Sequence, residues 1–222
     1  MTISRRAVVA GLGASLILPA PAFAAGGRRV FDVLRGGDPI GTQLVDVRPG
    51  PEGSAEVVIE VELKVKILGI TAYRYEMENR EVWKGGRLIS MNSRVNDDGD
   101  ADHARAEAAG EVIEIDGSLF RGAVPADAVS TTYWSRAFLN RKVWINTQTG
   151  VPIEVAATPL GAGEVQGRAT ERFNVKGGNL DVVLHYAGEE WISIEFDAGG
   201  EPAIYLPQDL SAAFAPVWTA SL

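Results

Sequence analysis

The densest group of side chains with ligand chemistry is Asn96-Asp97-Asp98-Gly99-Asp100-Ala101-Asp102-His103. Carboxylates packed around a glycine suit a hard cation such as calcium, which needs six or more oxygens. Setting Gly99 at the glycine of the helix–loop–helix calcium site puts Arg94 at the first ligand position and Arg105 at the last. Cations then stand where ligands belong, and the flanking residues alternate as strands rather than helices. The stretch reads as a solvated hairpin turn, so neither a metal nor a cofactor is expected. His103 and His185 lie far apart in the chain, and nothing fixes a third ligand, so each reads as a surface or packed strand histidine. Ser135 or Ser193 could be joined to His185 and an acid, but no G-x-S-x-G elbow is present. The glycine pairs belong to β-turns rather than to phosphate-binding loops before helices. The chain has no cysteine, which excludes disulfides, thiolate nucleophiles and Cys-ligated metal centres. No catalytic residue is expected. A hydrolase stays as the minor alternative, needing a histidine and a carboxylate that converge in a cleft.

What remains for recognition is apolar. Tyr73, Tyr75, Met77, Met91, Trp134, Phe138 and Trp191 could all face inward and are the candidate ligand-binding residues. Such a stripe is ordinary core unless the surface carrying it curves beyond what its neighbours can fill. A pocket of this kind, apolar with few polar groups, matches a hydrophobic or lipid-like molecule or an acyl chain.

The elements that would position these residues are strands. From Ala55 to Leu68, Val57, Ile59, Val61, Leu63, Val65 and Ile67 alternate with Glu60, Glu62, Lys64 and Lys66. Strict alternation predicts one face on a core and one in water. At about 3.4 Å per residue the strand is roughly 40 Å long. A second run follows through Tyr73, Tyr75 and Met77, and a third through Leu88 to Val95 after Gly85-Gly86. Between Met77 and Val82 the apolar parity slips from odd to even, which predicts a bulge or register shift. Long neighbouring strands must coil, because sheets twist, and a coiled sheet has a concave side. Ala104, Ala106 and Ala108 on the next strand could leave volume open there. A hairpin is expected around Asp116-Gly117. Ser130-Thr131-Thr132 and the spacing of Trp134, Ala137, Phe138 and Arg141 predict a helix of two or three turns over 131–141. It either plugs the concave side as core or lies as a lid over a cavity. Further strands are expected at 143–147, 151–156, 164–175, 180–186, 191–197 and 202–206, with a short closing helix through Leu210, Ala213 and Phe214. The reading is all-β, with one or two short helices: a strongly curved antiparallel sheet of roughly ten strands, or unclosed β-barrel, with an inserted helix near 131–141.

Residues 1–24 read as a secretory signal, with Arg5-Arg6 as the positive end, Ala7 to Leu18 as the apolar stretch, and cleavage between Ala24 and Ala25. The surrounding Ser4 and Ala7-Val8-Val9 favour the twin-arginine route, with an ordinary Sec signal as the alternative. A single β-rich domain, 25–222, would follow as a soluble periplasmic protein without a lipid anchor, its one expected contact with the export machinery being through the signal. The whole chain carries a net charge of −8. Loss of Arg5 and Arg6 makes it −10, which disfavours nucleic acid and anionic lipid surfaces. Two non-enzymatic roles fit: carriage of a hydrophobic ligand in the curved sheet, or an envelope scaffold that binds partners with a filled core and an exposed edge.

Phe31-Asp32-Val33 with Gly37 and Ile40-Gly41, then Glu81-Val82-Trp83 with Gly86 and Leu88, carry a resemblance. Tyr133-Trp134, Asn146-Thr147 with Gly150, and Tyr186 followed by Trp191 complete it. On these the chain resembles an uncharacterised bacterial periplasmic family, a domain of unknown function. Its members look like the unclosed β-barrels with helical plugs of periplasmic lipoprotein carriers. The resemblance implies a curved sheet and permits a lipid-like ligand; it transfers no catalytic residues.

Overall fold

The computed structural model describes residues 26–67, 70–211 and 214. The expected export signal, with Arg5, Arg6 and the Ala24/Ala25 cleavage point, lies outside them. A first hairpin pairs β1 (Gly27–Arg35) with β2 (Asp38–Pro49), and the long alternating run is β3 (Ser54–Ile67), paired with β4 (Ile70–Lys84). The meander continues through β5 (Arg87–Asp97), β6 (Asp100–Ala109), β7 (Val112–Gly117) and β8 (Arg121–Pro125). The chain then leaves the sheet for β9 (Val129–Ser130), β10 (Val143–Ile145) and β11 (Pro152–Glu154). It returns as β12 (Ala156–Val165), β13 (Arg168–Gly177), β14 (Leu180–Ala187), β15 (Glu190–Asp197) and β16 (Pro202–Pro207).

Thirteen strands form one antiparallel sheet in the order β12-β13-β14-β15-β16-β1-β2-β3-β4-β5-β6-β7-β8, and β11-β10-β9 form a second, small sheet. The first strand sits mid-sheet because β16 pairs with β1, Phe31 opposite Pro207 and Arg35 opposite Ala203. The edges β12 and β8 do not pair with each other, so the barrel stays open. In β3 the odd residues Ala55, Val57, Ile59 and Val61 are buried while Glu56, Glu60 and Glu62 are exposed, as the alternation requires.

The strand count exceeds the ten expected, partly because 164–175 is not one strand. Gln166 and Gly167 both adopt left-handed backbone (φ 49° and 81°), the geometry of a two-residue turn that matches strand twist, and they split it into β12 and β13. The helix expected over 131–141 is a 3-10 turn, Arg136–Asn140. Tyr133 at φ 60° breaks any helix before it, and Ser135 is extended and bridges Glu190. The segment from β9 to β11 nonetheless acts as the stopper: Trp134, Phe138, Trp144 and Ile145 are buried among Trp83, Met91 and Ala106 in a continuous core. At the seam near β1, buried Arg29 donates from Nη1 to the Trp191 carbonyl at 2.9 Å and lies 4.9 Å over the Phe214 ring. The expected closing helix cannot be followed through Ala213, which lies outside the described residues; Phe214 is packed in the core.

Candidate functional site

The site is built on an acid that the sequence pattern disguises. The pairing of β3 with β4 runs without a break from Ser54 opposite Lys84 to Val65 opposite Tyr73. The expected parity slip between Met77 and Val82 is therefore no bulge in that ladder; a shift occurs against β5, between Val82 and Trp83. Odd residues keep facing inward, which carries Asn79 and Glu81 into the core at 0% and 1% exposure. A lone buried carboxyl is costly, so it must be met by donors. The Trp83 indole donates to Glu81 Oε2 at 2.7 Å and the Asn79 amide to Oε1 at 2.8 Å. From the stopper, the Trp134 indole and the Thr132 hydroxyl reach Oε2 at 3.4 Å each, and Ser130 also bonds the carboxyl. Burial pushes the Glu81 pKa up, and these donors pull against it. Glu81 thus ties the stopper to the wall of the sheet.

Between Thr132 and Trp134 sits Tyr133, whose ring points to the unfilled end of the concavity. There a cleft of about 460 Å³ remains. Its walls come from β3 and β4 on one side (Leu63, Tyr73, Tyr75, Met77) and from β14, β15 and β16 on the other (Val182, Phe196, Tyr205). β1 and β2 separate the two walls in the sheet order, and the curl of the sheet turns their inner faces toward one another. The volume falls within the usual range for a small-molecule pocket, and the lining is mixed: aromatic and aliphatic side chains alternate with polar ones, among them buried Gln43 and Thr147. Tyr73 donates to Asp97 Oδ1 at 2.7 Å, and Gln148, also lining the cleft, donates to Asp97 Oδ2 at 3.1 Å. Burial raises the hydroxyl pKa of Tyr73, Tyr75, Tyr133 and Tyr205, the last to about 12. All four rings present neutral hydroxyls at neutral pH.

The seven candidate residues divide. Tyr73, Tyr75 and Met77 line the cleft. Met91, Trp134, Phe138 and Trp191 are core, at 2% exposure or less: Trp83 stacks on Phe138 at 4.9 Å and meets Trp134 edge-on at 5.7 Å, while Phe31 lies 4.5 Å from Trp191. The room expected beside Ala104 and Ala106 is taken up, since both are fully buried. The other cleft residues, Tyr133, Phe196 and Tyr205 above all, were missed because they come together only through the curl. Glu81 was missed because an inward acid breaks the apolar pattern used to read strand faces.

The other candidate polar groups stand apart from one another among the described residues. Asp98-Gly99 is a tight turn at φ 53° and 107°, and no cluster of three metal-ligating side chains occurs among the described residues. His103 meets Ser118 at 3.2 Å. His185 lies on the face of β14 opposite Leu184 and Tyr186, with Nδ1 3.2 Å from the Thr170 hydroxyl and Nε2 2.9 Å from Glu195, off the angle of a good hydrogen bond. Burial holds its pKa down against the pull of Glu195. Thr170 and His185 are buried and only Glu195 reaches the surface, so the histidine itself is shielded from solvent.

A curled, unclosed antiparallel sheet with an aromatic stopper defines a barrel-like β protein. The chain belongs to the family described as "Domain of unknown function (DUF6134)", whose model matches residues 31–208. Among solved structures it is similar to the "Beta-barrel-like Protein of Domain of Unknown Function DUF1849 from Brucella abortus", with a TM-score of 0.59 at 7% identity. That likeness covers 88% of this chain and 100% of the other, and it shows the fold alone. Comparison with curated proteins finds no match.

Proposed function

We propose that this protein binds a hydrophobic small molecule or acyl chain in the cleft between β4 and β14–β16, without chemical conversion. One observation carries the reading: the aromatic stopper fills most of the concave side and leaves a cleft of about 460 Å³ at one end, walled by Leu63, Tyr75, Met77 and Phe196. We place this binding in the periplasm, on the expectation of a twin-arginine-like signal over residues 1–24. Protein purified from its own host and sprayed under native conditions is expected to carry an extractable lipid-like mass. Leu63→Trp, which puts an indole into the cleft, is expected to lose that mass while keeping the fold. If no ligand accompanies the protein and none binds in titration, the reading is wrong. Changing Arg5-Arg6 to Lys-Lys tests the route separately: a block in export supports it, and unimpaired export assigns the signal to Sec.

A further inference from the structure

Resting on that ligand-binding reading, we propose that the cleft selects ligands whose polar end is an alkylammonium cation. Five aromatic rings line it: Tyr73, Tyr75, Tyr133, Phe196 and Tyr205. Aromatic faces attract organic cations, most strongly where water is excluded, and a trimethylammonium needs no hydrogen-bond acceptors that the walls would have to supply. The charged side chains that line the cleft have one sign. Asp181 and Asp197 stand at its rim, and no lysine, arginine or histidine is among the described residues lining it.

The acids differ in how far they are already satisfied. Asp181 is offset by Lys176, whose Nζ lies 2.7 Å away. Asp197 accepts from the Gly200 backbone N–H at 2.8 Å, and Asp97 accepts from Tyr73 and Gln148. Neither Asp97 nor Asp197 has a cationic partner among the described residues. The hydroxyl that Tyr73 donates to Asp97 also enriches its ring, which strengthens a cation–π contact. For an anionic head the cleft offers neutral donors only: the Tyr73 hydrogen goes to Asp97, that of Tyr75 points to the Met77 sulfur at 3.7 Å, and the amides of Gln43, Asn146 and Asn179 carry no charge to offset an anion. A carboxylate or phosphate would meet the field of Asp97, Asp181 and Asp197 with no lining cation to offset its charge.

The test compares three probes of equal chain length by calorimetry on the full chain: octyltrimethylammonium, octanoate and 1-octanol. The cation is expected to bind at least about ten-fold more tightly than either of the others. It should weaken several-fold on Asp197→Asn, and it should be lost on Leu63→Trp. Octanol or octanoate binding as tightly as the cation overturns the inference and leaves the cleft as a ligand site. Cation binding that survives Leu63→Trp is surface adsorption and also overturns it. Failure of all three probes removes the underlying reading as well.

Discussion

At the scale of single residues, Glu81 does most to define this protein. Its raised pKa means that the folded chain keeps the proton after the unfolded chain, with an ordinary value of 4.5, has lost it. The unfolded state then binds fewer protons, so stability is full below pH 4.5 and falls as pH climbs through the raised value. Glu76, Asp116 and Asp181 shift the other way, held down by hydrogen bonds from Arg74, Arg121 and Lys176. Those pairs are partly or well exposed and lose their small contribution only at more acid pH. His185, whose pKa burial holds down, adds a contribution of the opposite sign that grows as pH rises toward its ordinary value of 6.5, so the test is a difference. Glu81→Gln should remove a downward component from the pH dependence of denaturant unfolding above pH 4.5. An unchanged slope would show that Glu81 is not the titrating group. Glu81→Ala removes the carboxyl group that accepts from the Trp83 and Trp134 indoles and the Asn79 amide and should cost about 3 kcal/mol or more in the same experiment. Ser93 offers the opposite case. Its hydroxyl is fully buried with no hydrogen-bond partner among the described residues, so Ser93→Ala should be neutral or stabilising by about 1 kcal/mol. These inward polar residues were poorly legible in the sequence. Odd parity from Tyr73 through Met77 did lead to Asn79, Glu81 and Trp83, but an acid at a core position reads as a register slip until its donors on the distant stopper are seen.

At the scale of elements, the strands and the place of the stopper were legible, and the stopper's conformation was not. Alternation in β3 and the glycine turns placed most strand boundaries closely, because period-2 burial leaves a direct mark on sequence. The stopper is held by tertiary ties that override its helical spacing: the Tyr186 hydroxyl donates to the Tyr133 carbonyl at 2.7 Å, and Ser135 bridges Glu190. It also rests on the sheet backbone to backbone. A Cβ on Gly117 would come within 2.3 Å of the Thr149 carbonyl oxygen, and Gly150 at φ 80° packs against Gly117 in turn. Gly117→Ala should push the 146–150 turn off β7, lowering stability by about 2 kcal/mol and speeding amide exchange in β10 relative to β3. Equal exchange in both strands would show that the contact is not what seats the stopper. The open edges bear on the scaffold alternative. Strand β12 carries Pro159 and a register shift beside Gly161, and β8 is short and ends in Pro125. Both are devices that discourage strand addition. Replacing Pro159 with valine, which restores a backbone N–H on the edge strand, should make β12 a better pairing edge and shift the protein toward larger species on size exclusion. An elution profile unchanged from the native protein at high concentration would count against that role for Pro159.

At the scale of the whole molecule, curvature converts a list of alternating strands into a site. The sheet curls far enough for β4 to look at β15 and β16, but its edges stay apart and one aromatic segment fills the hollow unevenly. The concave sheet was legible because long coiled strands leave no other arrangement; which end stayed open was not, since that depends on where Glu81 anchors the stopper. Two methionines report the difference. Met77 lines the cleft, whereas Met91, at 1% exposure, lies in the filled core. The most direct measurement is a ¹³C-methyl-methionine NMR titration with octyltrimethylammonium or 1-octanol. A saturable shift of the Met77 signal with Met91 unmoved is the predicted result. A Met77 signal that stays still, or two signals that move together without saturating, would contradict a binding cleft on the concave face.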